Sequence, residues 1–296
     1  MNLGLAFLEN LRPRQWTKNL LLFAGLIFAK KLGDTPCLLR AIAGAVIFCG
    51  ASGVIYVMND VADRQMDRLH PDKRNRPIAS GRLPVRDAVQ GALLLFVVVV
   101  VAAFVLGQLF LAIVLFVFVW NWLYTRWLKR VPILDVTGIG MSFVIRAVAG
   151  VLVLLPACPQ VGISPWLLLC TFFLSLYLGS CKRRDEFKKI FTGQGRTRPV
   201  LRGYTEPMLD ALIGVSFGMT MVMYSLYTVW PDTVAEFGTR DLVYTVPMVL
   251  AGMGRYQYLV YQEQMGGKPH EILLNDSLLQ LIVLAWIGTA VWVIGV

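Results

Sequence analysis

Asn59, Asp60, Asp63 and Asp67 carry hard oxygen atoms at spacings close to a helical turn. At 3.6 residues per turn, Asn59, Asp63 and Asp67 stack at i, i+4 and i+8. Asp60 lies about one turn before Asp63, so all four share roughly one face. Carboxylates stacked this closely repel one another unless a cation sits among them. Oxygen donors of this kind suit Mg²⁺ that keeps several waters and is shared with phosphate oxygens. Just downstream come Lys73, Arg74 and Arg76, then Pro77 and a Ser80-Gly81 turn. Acids that hold a divalent metal, followed by bases that hold anions, make a diphosphate site. The plainer reading is a solvated acidic helix end with a basic loop behind it, but such a loop needs no Asn/Asp repeat at helical spacing.

A second polar centre reads SLYLGSCKRRDEFKK. Lys182, Arg183 and Glu186 fall within one turn, and Lys182 with Glu186 forms an i, i+4 pair. Richer in bases than in acids, it suits a phosphate better than a second metal cluster. The alternative is a basic juxtamembrane loop with an incidental ion pair. Other candidates stand singly. Lys18, in LRPRQWTKN, either contacts an anionic head group or belongs to a basic entry into the membrane, and that second reading suffices for Arg12. Tyr124 and Lys129 flank the surface in NWLYTRWLKRVPILDV, where Asp135 opens an apolar run. Arg146 lies eleven residues further on, inside GMSFVIRAVAG. A charge at that depth costs about 2.5–3.5 kcal/mol on insertion scales. Arg146 therefore lines a substrate cavity or forms a structural pair between helices. It shares a face with Asp135 but lies three turns away. Tyr204, in RPVLRGY, and Arg255, in GRYQY, join these as substrate-binding candidates, while Tyr261 reads as part of an interfacial aromatic belt.

The elements that position these residues are membrane-length apolar runs. The chain has 296 residues, 57% of them hydrophobic, and a mean hydropathy of +0.64, which excludes an ordinary soluble domain. Spans are expected near 18–33, 39–58, 88–106, 109–127, 133–154, 164–181, 207–229, 240–260 and 278–296. The first lacks a small-residue cleavage site and is expected to be a retained span. The expected fold is thus all-α, a polytopic bundle of nine transmembrane helices in a single domain, 1–296.

Basic residues concentrate in the 59–87 insert, in Arg126, Lys129 and Arg130, and between Lys182 and Arg202, alternating with basic-poor loops such as PACPQVGISP. The positive-inside rule then places the N-terminus and the basic loops in the cytoplasm and the C-terminus outside. Lys30 and Lys31 mildly dissent, and snorkelling would accommodate them. The formal charge of +10 is largely this topology signal. A nucleic-acid partner is disfavoured, because the bases are scattered among short loops.

Five cysteines show no metal-ligand spacing. Cys49, Cys170 and Cys181 read as small packing residues. Cys37 and Cys158 both fall near the outer face, where a disulfide is possible but is not called for by spacing. Two histidines, His70 and His270, leave little for a His-based metal site.

Together these features resemble the UbiA superfamily of intramembrane transferases over the whole length. The resemblance rests on the span count, on N-D-x-x-D-x-x-x-D at Asn59, Asp60, Asp63 and Asp67, and on K-x-x-R-P at Lys73, Arg76 and Pro77. Most members transfer a prenyl group from its diphosphate and carry a second D-x-x-x-D after the sixth span. Here Lys182-Arg183-Arg184-Asp185-Glu186 stands instead, similar to the K-R-x-x-E of the decaprenyl-phosphate phosphoribosyltransferase branch. RPRQWTKN, the pattern from Leu128 to Gly150, RPVLRGY and the late G-x-R-Y resemble that branch too. Arg184 and Asp185 add more charge than its pattern requires, which leaves the acceptor open.

The resemblance implies a bacterial enzyme of the cytoplasmic membrane, its active site facing the cytoplasm. It would move 5-phosphoribosyl from phosphoribosyl diphosphate to a polyprenyl phosphate for cell-envelope synthesis. Mg²⁺ would be held by Asn59, Asp60, Asp63 and Asp67, with Lys73 and Arg76 on the diphosphate. Lys182 and Arg183 would take the ribose 5-phosphate or the lipid phosphate, and Glu186 would orient Lys182 or a ribose hydroxyl. The rival readings are a prenyltransferase acting on an aromatic or lipid acceptor and a transporter without chemistry.

Overall fold

The computed structural model describes residues 3–69, 73–191, 199–263, 272 and 275–295. His70, Arg196, Arg198, Pro269, His270 and Glu271 lie outside them, as does part of the segment between Lys182 and Arg202. The described residues form helices joined by short turns. They gather into two compact units, one of Met1–Leu123 with Ile145–Ile163, the other of Tyr124–Val144 with Ser164–Val296.

The first unit begins with α1 (Leu3–Asn10), a 3-10 segment (Pro13–Phe23) and α2 (Ala24–Phe28). The run expected at 18–33 as one spanning helix is therefore no such helix. Pro13 opens the 3-10 segment, and Lys30, at φ 50°, follows α2 in the left-handed region. The backbone of Leu22 lies so close to Gly150 that a Cβ there would meet the Leu22 carbonyl oxygen at 2.2 Å. Only glycine permits that approach.

The first long helix, α3 (Thr35–Ala62), is capped by Asp34, whose side chain accepts the Cys37 N–H at 3.1 Å. The short α4 (Arg64–Arg68), α5 (Val85–Leu106) and α6 (Gln108–Arg126) follow. Leu22, Leu26, Phe48, Phe110 and Leu154 fill the main apolar core. A second core of Leu11, Val57, Ile78, Leu83 and Ala92 underlies the polar insert and anchors it. Cys37 and Cys158 form a disulfide with Cα atoms 6.5 Å apart, within the normal range. Nearby, Arg40 donates to the carbonyls of Val153, at 2.7 Å, and Leu106. It thus satisfies acceptors at helix ends that would otherwise be orphaned.

The helix α7 (Leu134–Leu152) runs through both sets of residues. The second unit also holds α8 (Pro165–Phe191), α9 (Glu206–Val229), α10 (Pro231–Phe237), α11 (Val246–Gln262) and α12 (Ser277–Ile294). Its core is built on Tyr177, Ile213, Met253, Leu259 and Leu279. A smaller cluster of Val200, Leu201, Tyr204 and Leu209 follows α8. The span expected at 240–260 starts as a 3-10 turn, Asp241–Thr245, and Pro247 at the head of α11 leaves 17 helical residues.

Among the described residues seven helices are long and apolar enough to cross a membrane: α3, α5, α6, α7, α8, α9 and α12. The run expected to end at 181 continues as helix to Phe191. The second polar centre is thus the end of α8 and not a loop.

Candidate functional site

The acidic motif in the first unit straddles the end of α3. Helical hydrogen bonding carries through it, Asp63 N–H to the Asn59 carbonyl and Asp67 N–H to the Asp63 carbonyl, both at 2.9 Å. Burial is graded across the shared face. Asp60 and Asp67, seven residues apart and nearly in register at 3.6 residues per turn, are both buried. Asn59 is half-buried and Asp63 exposed.

Basic residues converge on the buried pair. One nitrogen of Arg76, Nη1, donates to Asp60 Oδ1 at 2.9 Å and to Asp67 Oδ2 at 2.7 Å. Lys73 Nζ lies 3.8 Å from Asp67 Oδ1. Arg12 pairs with Asp60 while its guanidinium lies 4.9 Å from the centre of the Tyr56 ring. Reading Arg12 only as a basic membrane-entry residue missed this, because the two partners are 48 positions apart.

Secondary contacts hold the insert in place. Arg68 Nε donates to the Ala79 carbonyl at 3.0 Å, and Arg82 forms a bidentate pair with Glu9 at 2.8 Å. That hydrogen bond holds the Glu9 carboxyl below the usual carboxylate range.

Asp60 Oδ2 is buried and meets no hydrogen-bond partner among the described residues. A buried carboxylate oxygen left over beside a second carboxylate is an acceptor in want of a donor or a cation. Asn59 and Asp63, on the same helical face, add hard oxygens of the type a divalent ion takes. Among the described residues the trio whose ligand atoms lie within 4.8 Å of one another is Asp34, Cys37 and Cys158, but the sulfurs are joined to each other and Asp34 caps α3.

Deeper in the same unit, Arg146 is half-buried and donates through Nε to Asn19 Oδ1 at 3.0 Å. Asn19 in turn donates to Cys49 Sγ at 3.3 Å. Lys18 is exposed.

The second unit carries the basic motif on the last turns of α8. Arg183 Nε donates to Asp135 Oδ2 at 2.6 Å and Nη1 to Glu186 Oε2 at 2.7 Å. Glu186 thus forms an ion pair with Arg183 at i, i+3, a partner that the i, i+4 spacing to Lys182 did not suggest. The Tyr204 hydroxyl donates to Asp135 Oδ1 and accepts the Ile133 N–H, both at 2.5 Å. Burial raises the Tyr204 phenol, which keeps it a donor. Arg183 and Tyr204, expected on substrate, thus have polar atoms committed within the chain.

Arg184 explains itself by packing. It is buried, donates to Asp210 at 2.5 Å and Glu206 at 3.0 Å, and lies 3.8 Å from the Tyr261 ring centre. Tyr261 itself donates to Asp210 at 2.6 Å and so ties α11 to α9; it is not simply a belt residue. Asp185 accepts from Lys189 at 2.7 Å. Lys182 is half-buried. Tyr124, also half-buried, packs its ring on Gly138, and Lys129 sits in the 3-10 turn Leu128–Arg130. Arg255, expected on substrate, donates to both oxygens of Asp276 at 3.2 and 2.7 Å. Asp276 also caps α12 through the Leu279 N–H at 2.7 Å.

The sequence profile of the UbiA prenyltransferase family matches residues 20–275. The decaprenyl-phosphate phosphoribosyltransferase of Mycolicibacterium smegmatis is 34% identical, the match covering 97% of this chain and 92% of that one. The enzyme of the same name from Mycobacterium tuberculosis is 32% identical over 97% of this chain and 94% of that one. Among solved structures, a UbiA homologue from Archaeoglobus fulgidus bound to GPP and Mg²⁺ superposes with a TM-score of 0.70 at 19% identity, covering 98% of this chain and all (100%) of that one. At that identity the likeness speaks to the fold.

Proposed function

The chain belongs to the UbiA prenyltransferase family and is an integral membrane protein, and we propose that it transfers 5-phosphoribosyl from phosphoribosyl diphosphate to a polyprenyl phosphate, releasing diphosphate. The observation that carries this reading is the basic second motif. Its two carboxylates, Asp185 and Glu186, are sequence neighbours about 100° apart around α8 and turn to different bases, Lys189 and Arg183, so they do not converge on one point as Asp60 and Asp67 do on Arg76. A donor with a diphosphate at one end and a phosphate at the other matches one acid–metal motif and one basic motif. The relatives at 32–34% identity carry that activity in their names.

In this reading Asn59, Asp60, Asp63 and Asp67 hold Mg²⁺, which when bound neutralises charge on the departing diphosphate. Lys73 and Arg76 bind the same group, and Arg76 must then loosen from Asp60 and Asp67. Lys182 takes a phosphate and Glu186 a ribose hydroxyl. The bond from the anomeric carbon to the diphosphate oxygen breaks with its electron pair on diphosphate. An oxygen of the lipid phosphate forms the new bond from the opposite face, inverting the centre. That phosphate is already anionic, so no general base is required. Lys18, Tyr124, Lys129 and Arg146 are assigned to the lipid's head group and the groove beside it.

The proposal includes nine spans, the two short apolar runs at 18–33 and 240–260 added to the seven long helices. It also includes a bacterial cytoplasmic membrane with both motifs facing the cytoplasm. The Cys37–Cys158 disulfide supports that orientation, since disulfides persist on the oxidising side.

The test uses purified protein with Mg²⁺, labelled phosphoribosyl diphosphate and a polyprenyl phosphate, followed by lipid extraction. Label in the lipid phase is the expected result. No label there, with prenyl transfer from a prenyl diphosphate instead, would overturn the assignment of the second motif.

A further inference from the structure

Arg183 joins two carboxylates of very different exposure. The Asp135 side chain is fully buried, at 0% exposure, and Arg183 is at 3%, whereas Glu186 is at 21%. Only the Glu186 end of this chain of charges reaches solvent. A guanidinium is a rigid planar fork, so fixing its Nε edge on Asp135 fixes the direction in which Nη1 offers its proton to Glu186.

Asp135 is in turn fixed by the Tyr204 hydroxyl, which also takes the Ile133 N–H. Ile133 has φ 70°, the left-handed region that a β-branched residue strongly disfavours. The neighbouring Gly203 approaches Pro132 so closely that a Cβ there would lie 2.4 Å from the proline Cγ. The 199–204 turn therefore clamps the 131–135 segment in a strained form. Buried ion pairs gain little net stability once desolvation is counted, and strained backbone concentrates where geometry matters. Both observations favour orientation over plain adhesion.

We infer that Asp135, with Tyr204, is a positioning residue: it orients Arg183, and through it sets the carboxylate of Glu186 toward the donor. Arg183 is then an internal strut and not a phosphate ligand. The inference rests on the phosphoribosyl-transfer reading for the identity of the donor.

The experiment measures steady-state transfer by purified full-length protein with Mg²⁺, phosphoribosyl diphosphate and a polyprenyl phosphate. Wild type, Asp135→Asn, Tyr204→Phe, Glu186→Gln and the doubles Asp135→Asn/Glu186→Gln and Tyr204→Phe/Glu186→Gln are compared. Absence of transfer by wild type would sink the donor reading itself. Given transfer, Asp135→Asn and Glu186→Gln should each lower kcat/KM for the donor by roughly tenfold or more, with KM for the lipid within about twofold. Residues acting through one another couple, so the Asp135 double should fall no more than about threefold below the weaker single. Multiplied losses, a raised lipid KM, or wild-type activity in Asp135→Asn would overturn the inference. Should Asp135→Asn fail to fold, Tyr204→Phe keeps the charge pair and carries the test. Its loss, about threefold to tenfold, should vanish in the Glu186→Gln background, and its persistence there would refute the strut.

Discussion

Asp60 and Asp67, on either side of the helix break at Asp63, accept from the same nitrogen of Arg76, at 2.9 and 2.7 Å. A guanidinium thus balances two buried carboxylates that would otherwise repel. Arg76→Ala should destabilise the metal-free protein by about 1–2 kcal/mol, less than a fully buried pair would lose because Arg76 is 27% exposed. Added Mg²⁺ should restore part of that loss by supplying another cation. Thermal melts in detergent with and without chelator test this; a deficit indifferent to Mg²⁺ would count against a shared site.

Asp63 presents the opposite case. It is exposed at the C-cap of α3, so Asp63→Ala should change stability by no more than about 0.5 kcal/mol. Its transfer activity should nonetheless be lost. A folded variant with normal turnover would sink the metal assignment.

Arg184 is a structural charge, held by Asp210, Glu206 and the Tyr261 ring. Arg184→Ala should cost about 1–3 kcal/mol, since its acidic partners remain partly solvated. Turnover per folded molecule should stay within about threefold, in contrast to the neighbouring Arg183. Paired melting and kinetic measurements separate the two arginines.

The hydrogen bond from Arg255 holds the Asp276 carboxyl below the usual aspartate range. A carboxyl depressed in the folded state contributes stability above its unfolded pKa and loses it as pH falls through the folded value. The contribution is therefore complete at neutral pH and fades only in acid, below the ordinary aspartate pKa. Asp276→Ala should cost about 1 kcal/mol at neutral pH through loss of the α12 cap. Its melting temperature should also depend less on pH than that of wild type in acid. Parallel pH-dependence would remove Asp276 as the cause.

Periodicity and charge alone determined much of this protein. Apolar runs long enough to cross a bilayer announce helices, because a backbone in lipid must satisfy its own hydrogen bonds. The acidic repeat could be read because its spacing and its face are local properties of the helical hydrogen bonding that runs from Asn59 through Asp63 to Asp67 across the α3–α4 junction. The 18–33 and 240–260 runs are not single long helices, which composition could not show because it does not register Pro13, the left-handed Lys30, Pro247 or the pressure of Leu22 on Gly150. Tertiary structure alone decided the partners. Arg12 with Asp60, Asp135 with Arg183, and Cys37 with Cys158 are separated by 48, 48 and 121 positions, and no helical period links residues so far apart. Which basic residue faces solvent and which braces another side chain depends on those long-range partners, because burying a charge is tolerable only where an opposite one waits for it.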